Sequence, residues 1–151
     1  CFYEGPEKEK LSKPFLVYLE DQQRPFAFAG IYNDLEKNGE TMRSFAIITT
    51  TPSKVMGLIG HHRSPVVLNP SDYNDWLTPN QDLFKYTDCL KNNINELQNA
   101  YPVSKDVKSV QNNNRKLIDP IGERLIPAYN YSVINTPHLT GMGSSKRNAR
   151  E

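Results

Sequence analysis

Cysteine is scarce in this sequence. Cys1 and Cys89 are the only two in 151 residues, too few for a disulfide framework, and both read as reduced thiols in a cytosolic or nuclear setting. No apolar run approaches the length of a membrane span. Nor does the chain open like a signal peptide, since its first residues read as a strand. An excess of either charge is also missing. Lys and Arg number 18 against 17 Asp and Glu, a net charge of +1, so no broad basic field advertises nucleic acid and any such contact must be a local patch. Internal repeats and long low-complexity tracts are absent. What remains is an ordinary globular balance, 37% hydrophobic and 23% charged, in a chain long enough for one domain with a real core.

Against that plain background, residues 59–68 stand out: Ile-Gly-His-His-Arg-Ser-Pro-Val-Val-Leu. Two histidines and an arginine precede an apolar, strand-like run, Pro65–Leu68. Histidine titrates nearest neutral pH, and arginine offers a fixed fork of donors for phosphate or carboxylate. A second polar residue in an apolar setting is Glu4, in Cys1-Phe2-Tyr3-Glu4. Glu4 and His61 are expected to meet at one site, with Arg63 beside them. A metal is not expected: adjacent histidines in an extended segment point to opposite faces, and no further Cys/His cluster completes a coordination sphere.

Taken in order, Cys1–Glu4 reads as a strand stopped by Gly5-Pro6, and residues 7–13 as a charged, solvated loop. Pro14–Leu19 and Pro25–Tyr32 read as a hairpin joined by residues 20–24, with Gly30 marking a bulge or a close backbone approach. Asp34–Glu40 is a polar loop turning at Asn38-Gly39. Arg43–Thr50 is a strand, and Pro52-Ser53 begins a short helix with Val55, Met56, Leu58 and Ile59 on its apolar face. Gly60 ends that helix, which places His61 on a turn between two rigid elements. Asn69–Asp72 starts a helix carrying Tyr73, Trp76 and Leu77 on one face. The spacing of Leu83, Tyr86, Leu90, Ile94 and Leu97 predicts one or two helices over 81–99, with Cys89 buried beside the stripe. Tyr101–Val110 reads as a strand and Leu117–Ile121 as a last apolar segment. Residues 1–126 are expected to form a single domain and 127–151 an extension, ending in a basic tail with Lys146, Arg147 and Arg150. The first residue is Cys rather than Met, and Cys1–Glu4 looks like mid-strand, so the domain is expected to lack an N-terminal segment.

These segments together resemble the SOS-response-associated peptidase family, the abasic-site shielding proteins. Phe2-Tyr3-Glu4 is similar to its G-F-Y-E-W motif, Phe28–Tyr32 to F-A-G-L-W, and Ile47–Thr50 to a strand ending in paired threonines. His61–Leu68 resembles H-x-R-M-P-V-I-L, and Leu68–Leu77 resembles L-x-P-x-D-W-x-x-W-L. Tyr101–Ser104 with Val107, then Leu117–Pro120, resembles the closing Y-P-V-S…V…L-I-E-P. The family's tryptophan after F-Y-E is replaced by Gly5, and its methionine after H-x-R by Ser64.

The resemblance implies single-stranded DNA carrying an abasic site as the partner. It implies a covalent thiazolidine crosslink formed by an N-terminal cysteine, and an associated autopeptidase activity. It gives the catalytic roles to Glu4 and His61, the phosphate contact to Arg63, and supporting DNA contacts to Thr49 and Thr50. Cys1 aligns with the glycine ahead of F-Y-E and is not taken as the nucleophile, whose position stays unknown. No cofactor, metal or membrane is expected, and the protein is expected to be a monomer in the bacterial cytoplasm at the nucleoid. The fold expected is α+β, with a strongly bent, barrel-like antiparallel or mixed β-sheet flanked by short helices. A non-covalent single-stranded DNA-binding module, or a cysteine or metal hydrolase using Cys1 or the histidine pair, stand as alternatives.

Overall fold

The computed structural model describes residues 1–9, 12–21 and 24–128. The basic tail and His138 lie outside the described residues. Seven strands follow in chain order among the described residues: β1 (Phe2–Glu4), β2 (Phe15–Leu19), β3 (Gly30–Lys37), β4 (Glu40–Ile47), β5 (Thr49–Thr50), β6 (Ser64–Pro65) and β7 (Gln98–Pro102). The α-helices of the described residues lie among them: α1 (Lys54–Ile59), α2 (Tyr73–Leu77) and α3 (Leu83–Lys91). The architecture is mixed α+β with antiparallel sheets and few helices. A closed or strongly curled sheet is not found among the described residues; the strands form sheets ordered β1-β2-β7, β3-β4 and β5-β6.

The central strand explains why one expected hairpin does not form. In β2, Leu16, Val17 and Leu19 are all nearly inaccessible, so both faces of the strand are covered. It takes antiparallel partners on both edges, β1 through Tyr3↔Leu16 and β7 through Leu16↔Tyr101. The segment expected to pair with it, Pro25–Tyr32, goes elsewhere: Phe28 bridges Val67, and β3 pairs with β4. A locally plausible turn loses to long-range burial. The loop expected over Asp34–Glu40 also shrinks. Both strands run up to a two-residue turn at Asn38-Gly39, each with positive φ, at 55° and 82°, the backbone of a type I′ hairpin turn. Gly30 is a close backbone approach, as expected: a Cβ there would meet the Ala46 carbonyl oxygen at 3.3 Å.

Helical spacing misleads after Lys91. α3 stops there, Asn95–Leu97 form a 3₁₀ turn, and β7 begins at Gln98. Ile94 and Leu97 therefore continue the apolar rhythm outside the helix. Tyr101 lies near the end of a strand rather than at its start, and Lys105–Lys108 form a further 3₁₀ turn. Apolar side chains gather in two clusters. Val17, Ala100 and the α1 residues Val55, Met56 and Ile59 form one, with Leu125 and Ile126 packed on it. Ala29, Val66, Leu68 and Cys89 form the other, with Tyr73 and Trp76 against it. Residues 60–63 run between the helix of the first cluster and β6, which leads to Val66 and Leu68 of the second.

Candidate active site

α1 begins on Ser53, whose hydroxyl accepts a hydrogen bond from the Met56 amide at 3.2 Å, an N-cap that satisfies an otherwise free donor. It ends on Gly60 with φ 89°, a left-handed conformation that suits glycine. The Gly60 amide donates to the Gly57 carbonyl and the His61 amide to the Met56 carbonyl at 2.9 Å, the two bonds of a Schellman motif. This stop fixes the direction in which the chain leaves the helix, and therefore where His61 stands.

Two further contacts bring β1 to this turn. The Glu7 amide donates to the Gly60 carbonyl at 3.4 Å, and the Glu7 carboxylate meets His62 Nδ1 at 2.6 Å. With β1 anchored this way, the Glu4 Oε1 lies 3.9 Å from His61 Nε2, both side chains part-exposed at 28% and 24%. That separation is an ion-pair distance rather than a hydrogen bond. The Gly5 amide donates to Glu4 Oε1 at 3.0 Å, which holds the carboxylate in place. His61 Nδ1 sits 3.0 Å from the Arg63 carbonyl and 3.3 Å from the Arg63 amide. The two contacts ask for opposite protonation of Nδ1. The shorter one assigns Nδ1–H as donor to the carbonyl, which leaves Nε2 as the ring nitrogen that faces Glu4.

Arg63 is exposed, and its Nη1 donates to Thr49 Oγ1 at 3.4 Å. Thr49 and Thr50 pair with Pro65 and Ser64, so paired threonines and arginine occupy one ribbon. The structure thus brings Glu4 and His61 together and joins Arg63 to Thr49; Thr50 is part-buried, next to this contact on the same strand. Cys1 is exposed and precedes β1. Cys89 is buried, and burial, aided by Asp72 and Asp75, pushes its thiol pKa up, which makes it a poor nucleophile.

One expectation is corrected. The His61 and His62 rings do not diverge; they stack with centroids 5.4 Å apart and planes 18° from parallel. The alternation of an extended segment does not apply, because the Schellman turn bends the backbone at this point. Among the described residues no group of three or more His, Cys, Asp and Glu side chains could hold a metal.

Residues missed by sequence reasoning close the base of the loop. The buried Ser64 hydroxyl accepts from the Ser53 amide at 2.8 Å, and the Ser53 hydroxyl donates to Gln98 Oε1 at 2.7 Å. This clasp ties the start of α1 to the start of β6 and to β7, so the residues from Lys54 to Arg63 form a closed loop. Ser64 stands out in the sequence only as a departure from a family motif. Glu7 lies in a segment whose charge predicts a solvated loop, and nothing local marks it as the partner of a histidine far along the chain.

Comparison with known proteins agrees with this arrangement of motifs. The sequence pattern of the SOS response associated peptidase (SRAP) family matches residues 1–110. The abasic site processing protein YoqW of Bacillus subtilis (strain 168) is 34% identical over 121 residues, covering 78% of this chain and 53% of that protein. The abasic site processing protein YoaM of the same strain is 33% identical over 122 residues, covering 78% of this chain and 52% of its own length. A crystal structure of a Bacteroides thetaiotaomicron protein superposes with a TM-score of 0.66 at 27% identity, over 79% of this chain and 53% of that one. The chain spans about half the length of the curated relatives it matches.

Proposed function

The chain belongs to the SOS response associated peptidase family, and from that premise we propose that it processes abasic sites in single-stranded DNA by covalent crosslinking. The observation that carries this reading is the convergence of Glu4 and His61, distant in sequence, at 3.9 Å on a solvent-accessible wall.

An abasic sugar must open before it reacts. His61 Nε2 hands a proton to the ring oxygen as the C1′–O4′ bond breaks, and the C1′ hydroxyl releases its proton to water, giving the aldehyde. The amine of an N-terminal cysteine then adds to C1′, and Glu4 takes the proton that the attacking nitrogen sheds. Loss of one water gives an imine. The cysteine sulfur adds to the same carbon, the thiol proton passes to nitrogen, and a thiazolidine ring joins protein to DNA. Reversal uses the same groups, by microscopic reversibility, and the same pair serves the autopeptidase step that exposes the cysteine. Arg63, with Thr49 and Thr50 behind it, grips the phosphates flanking the lesion. Neither cysteine of this chain is assigned as nucleophile: Cys1 takes a glycine position ahead of F-Y-E, and Cys89 is buried.

The test is a heat-denatured gel of the product of the full reading frame incubated with a single-stranded oligonucleotide carrying one abasic site. Glu4→Gln and His61→Ala are each expected to slow adduct formation by about a hundredfold, the usual scale for removing a general acid or base. Unchanged rates in both variants reject the catalytic roles of Glu4 and His61. Salt-sensitive binding without an adduct selects the non-covalent reading.

A further inference from the structure

Beside the Glu4–His61 couple stands a second one. The 3₁₀ turn that follows β1, Glu7–Glu9, brings the Glu7 carboxylate to His62 Nδ1 at 2.6 Å. A carboxylate only accepts hydrogen bonds, so Nδ1 carries the hydrogen. The Glu7 amide also donates to the Gly60 carbonyl at 3.4 Å, so one residue grips the turn by backbone and side chain together. Two carboxylates, from β1 and the turn after it, thus meet two adjacent imidazoles in the same order: Glu4 with His61, Glu7 with His62. The chemistry proposed for the site uses only the first couple.

Exposure excludes one role for the second. The His62 and Glu7 side chains are 57% and 50% accessible, and an ion pair so placed adds little to stability because water and salt screen it. What the couple does have is a neighbour. The His62 ring lies on the His61 ring with centroids 5.4 Å apart and planes 18° from parallel. The torsion that turns an imidazole about its Cβ–Cγ bond is broad and has no sharp rotamer, so neighbours must fix where Nε2 points. Glu4 does not fix it, since 3.9 Å is too long for a directing hydrogen bond. The bond from Nδ1–H to the Arg63 carbonyl, at 3.0 Å, holds one edge of the ring. An edge contact tolerates a broad range of ring tilts. A flat ring pressed against the face does not, and His62 is that ring.

We propose that Glu7 and His62 are positioning residues: Glu7 holds the His62 ring, and that ring holds the His61 imidazole in the plane where Nε2 faces Glu4. The consequence for rate rests on the crosslinking reading of the site; the restraint on His61 does not. The test uses the product of the full reading frame and its Glu7→Ala, His62→Ala and His62→Phe variants. A nuclear Overhauser contact between the His61 and His62 rings is expected in the unsubstituted protein and lost in Glu7→Ala. Its absence from the first, or its persistence in the second, overturns the proposal. On a single-stranded oligonucleotide with one abasic site, Glu7→Ala and His62→Ala should each lower the maximal rate of adduct formation about tenfold, the upper scale of one aromatic contact. The half-saturating DNA concentration and the urea midpoint should not move. His62→Phe keeps a flat ring on His61 and should recover most of the rate that His62→Ala loses, which neither a charge nor a phosphate contact of His62 would allow. A full maximal rate in His62→Ala overturns the proposal. So does a raised half-saturating concentration at full rate, which makes His62 a DNA contact, and so does a fall in urea midpoint that matches the lost rate, which makes the couple structural. If the unsubstituted protein forms no adduct, the crosslinking reading falls, and the contact between the rings still decides whether His62 positions His61.

Discussion

Two segments of this chain fold back on themselves, and they do so by different physics. The β3–β4 hairpin closes through a two-residue turn, Asn38-Gly39, and its register follows from that turn alone. The loop from Lys54 to Arg63 closes through a buried hydroxyl, with Ser64 accepting from the Ser53 amide. The hairpin owes its shape to neighbours in sequence, and its apolar side chains remain exposed. The loop owes its shape to residues far along the chain: Gln98 below it and Glu7 beside it. Only the second kind of closure can hold a histidine against a carboxylate brought from another strand. The lesson is that turn chemistry makes a ribbon, whereas a site needs a buried clasp.

The contrast can be broken most sharply in the core. Met56, fully buried on the α1 helix of the loop, should cost about 2–5 kcal/mol when truncated to Ala. Phe45→Ala on the hairpin should stay within about 0.5 kcal/mol in the chain alone. Urea denaturation of the two variants measures the difference, and comparable losses would show that the hairpin is already buried.

The clasp comes next. Ser64→Ala strands the buried Ser53 amide without its acceptor and should cost about 1–3 kcal/mol, read by the same denaturation curves. A neutral result would mean that the loop is held by its helix caps and not by the hydroxyl.

The smallest effect belongs to the hairpin's exposed ion pair. Hydrogen bonding from the Arg43 guanidinium, and then its charge, hold the Asp34 carboxyl below its usual value. A depressed folded-state pKa stabilises above the unfolded-state value, and that contribution drains away as pH falls through the folded one, below about pH 4. Arg43→Ala should return Asp34 toward the ordinary aspartate range in a carboxyl NMR titration, with little change in unfolding at neutral pH.

Much of the fold is legible in the sequence because the signals are local. Ser53 and Gly60 announce the two ends of α1, Asn38-Gly39 announces a turn, and Gly30 announces close backbone contact. The failures share a cause. Pro14–Leu19 and Pro25–Tyr32 look like hairpin partners, but both edges of β2 are taken by β1 and the distant β7. The apolar rhythm through Ile94 and Leu97 looks helical, yet it straddles a 3₁₀ turn and a strand start. Of the site, Glu4, His61, Arg63 and the paired threonines are visible through motif resemblance. Glu7, Ser64 and Gln98 are not, because a carboxylate, a hydroxyl and an amide acquire such tasks only from the partners that folding gives them.

By itself the sequence determined the types of group available near residue 61, the helix stop that presents them, and the family to which they point. Tertiary structure alone decided that Glu4 Oε1 comes within 3.9 Å of His61 Nε2, that the two imidazoles stack, and which apolar residues stay uncovered. Caps and turns are set by interactions among a few neighbouring residues. The meeting of β1 with the end of α1 depends on seating β2 between β1 and the distant β7, and no local pattern encodes that.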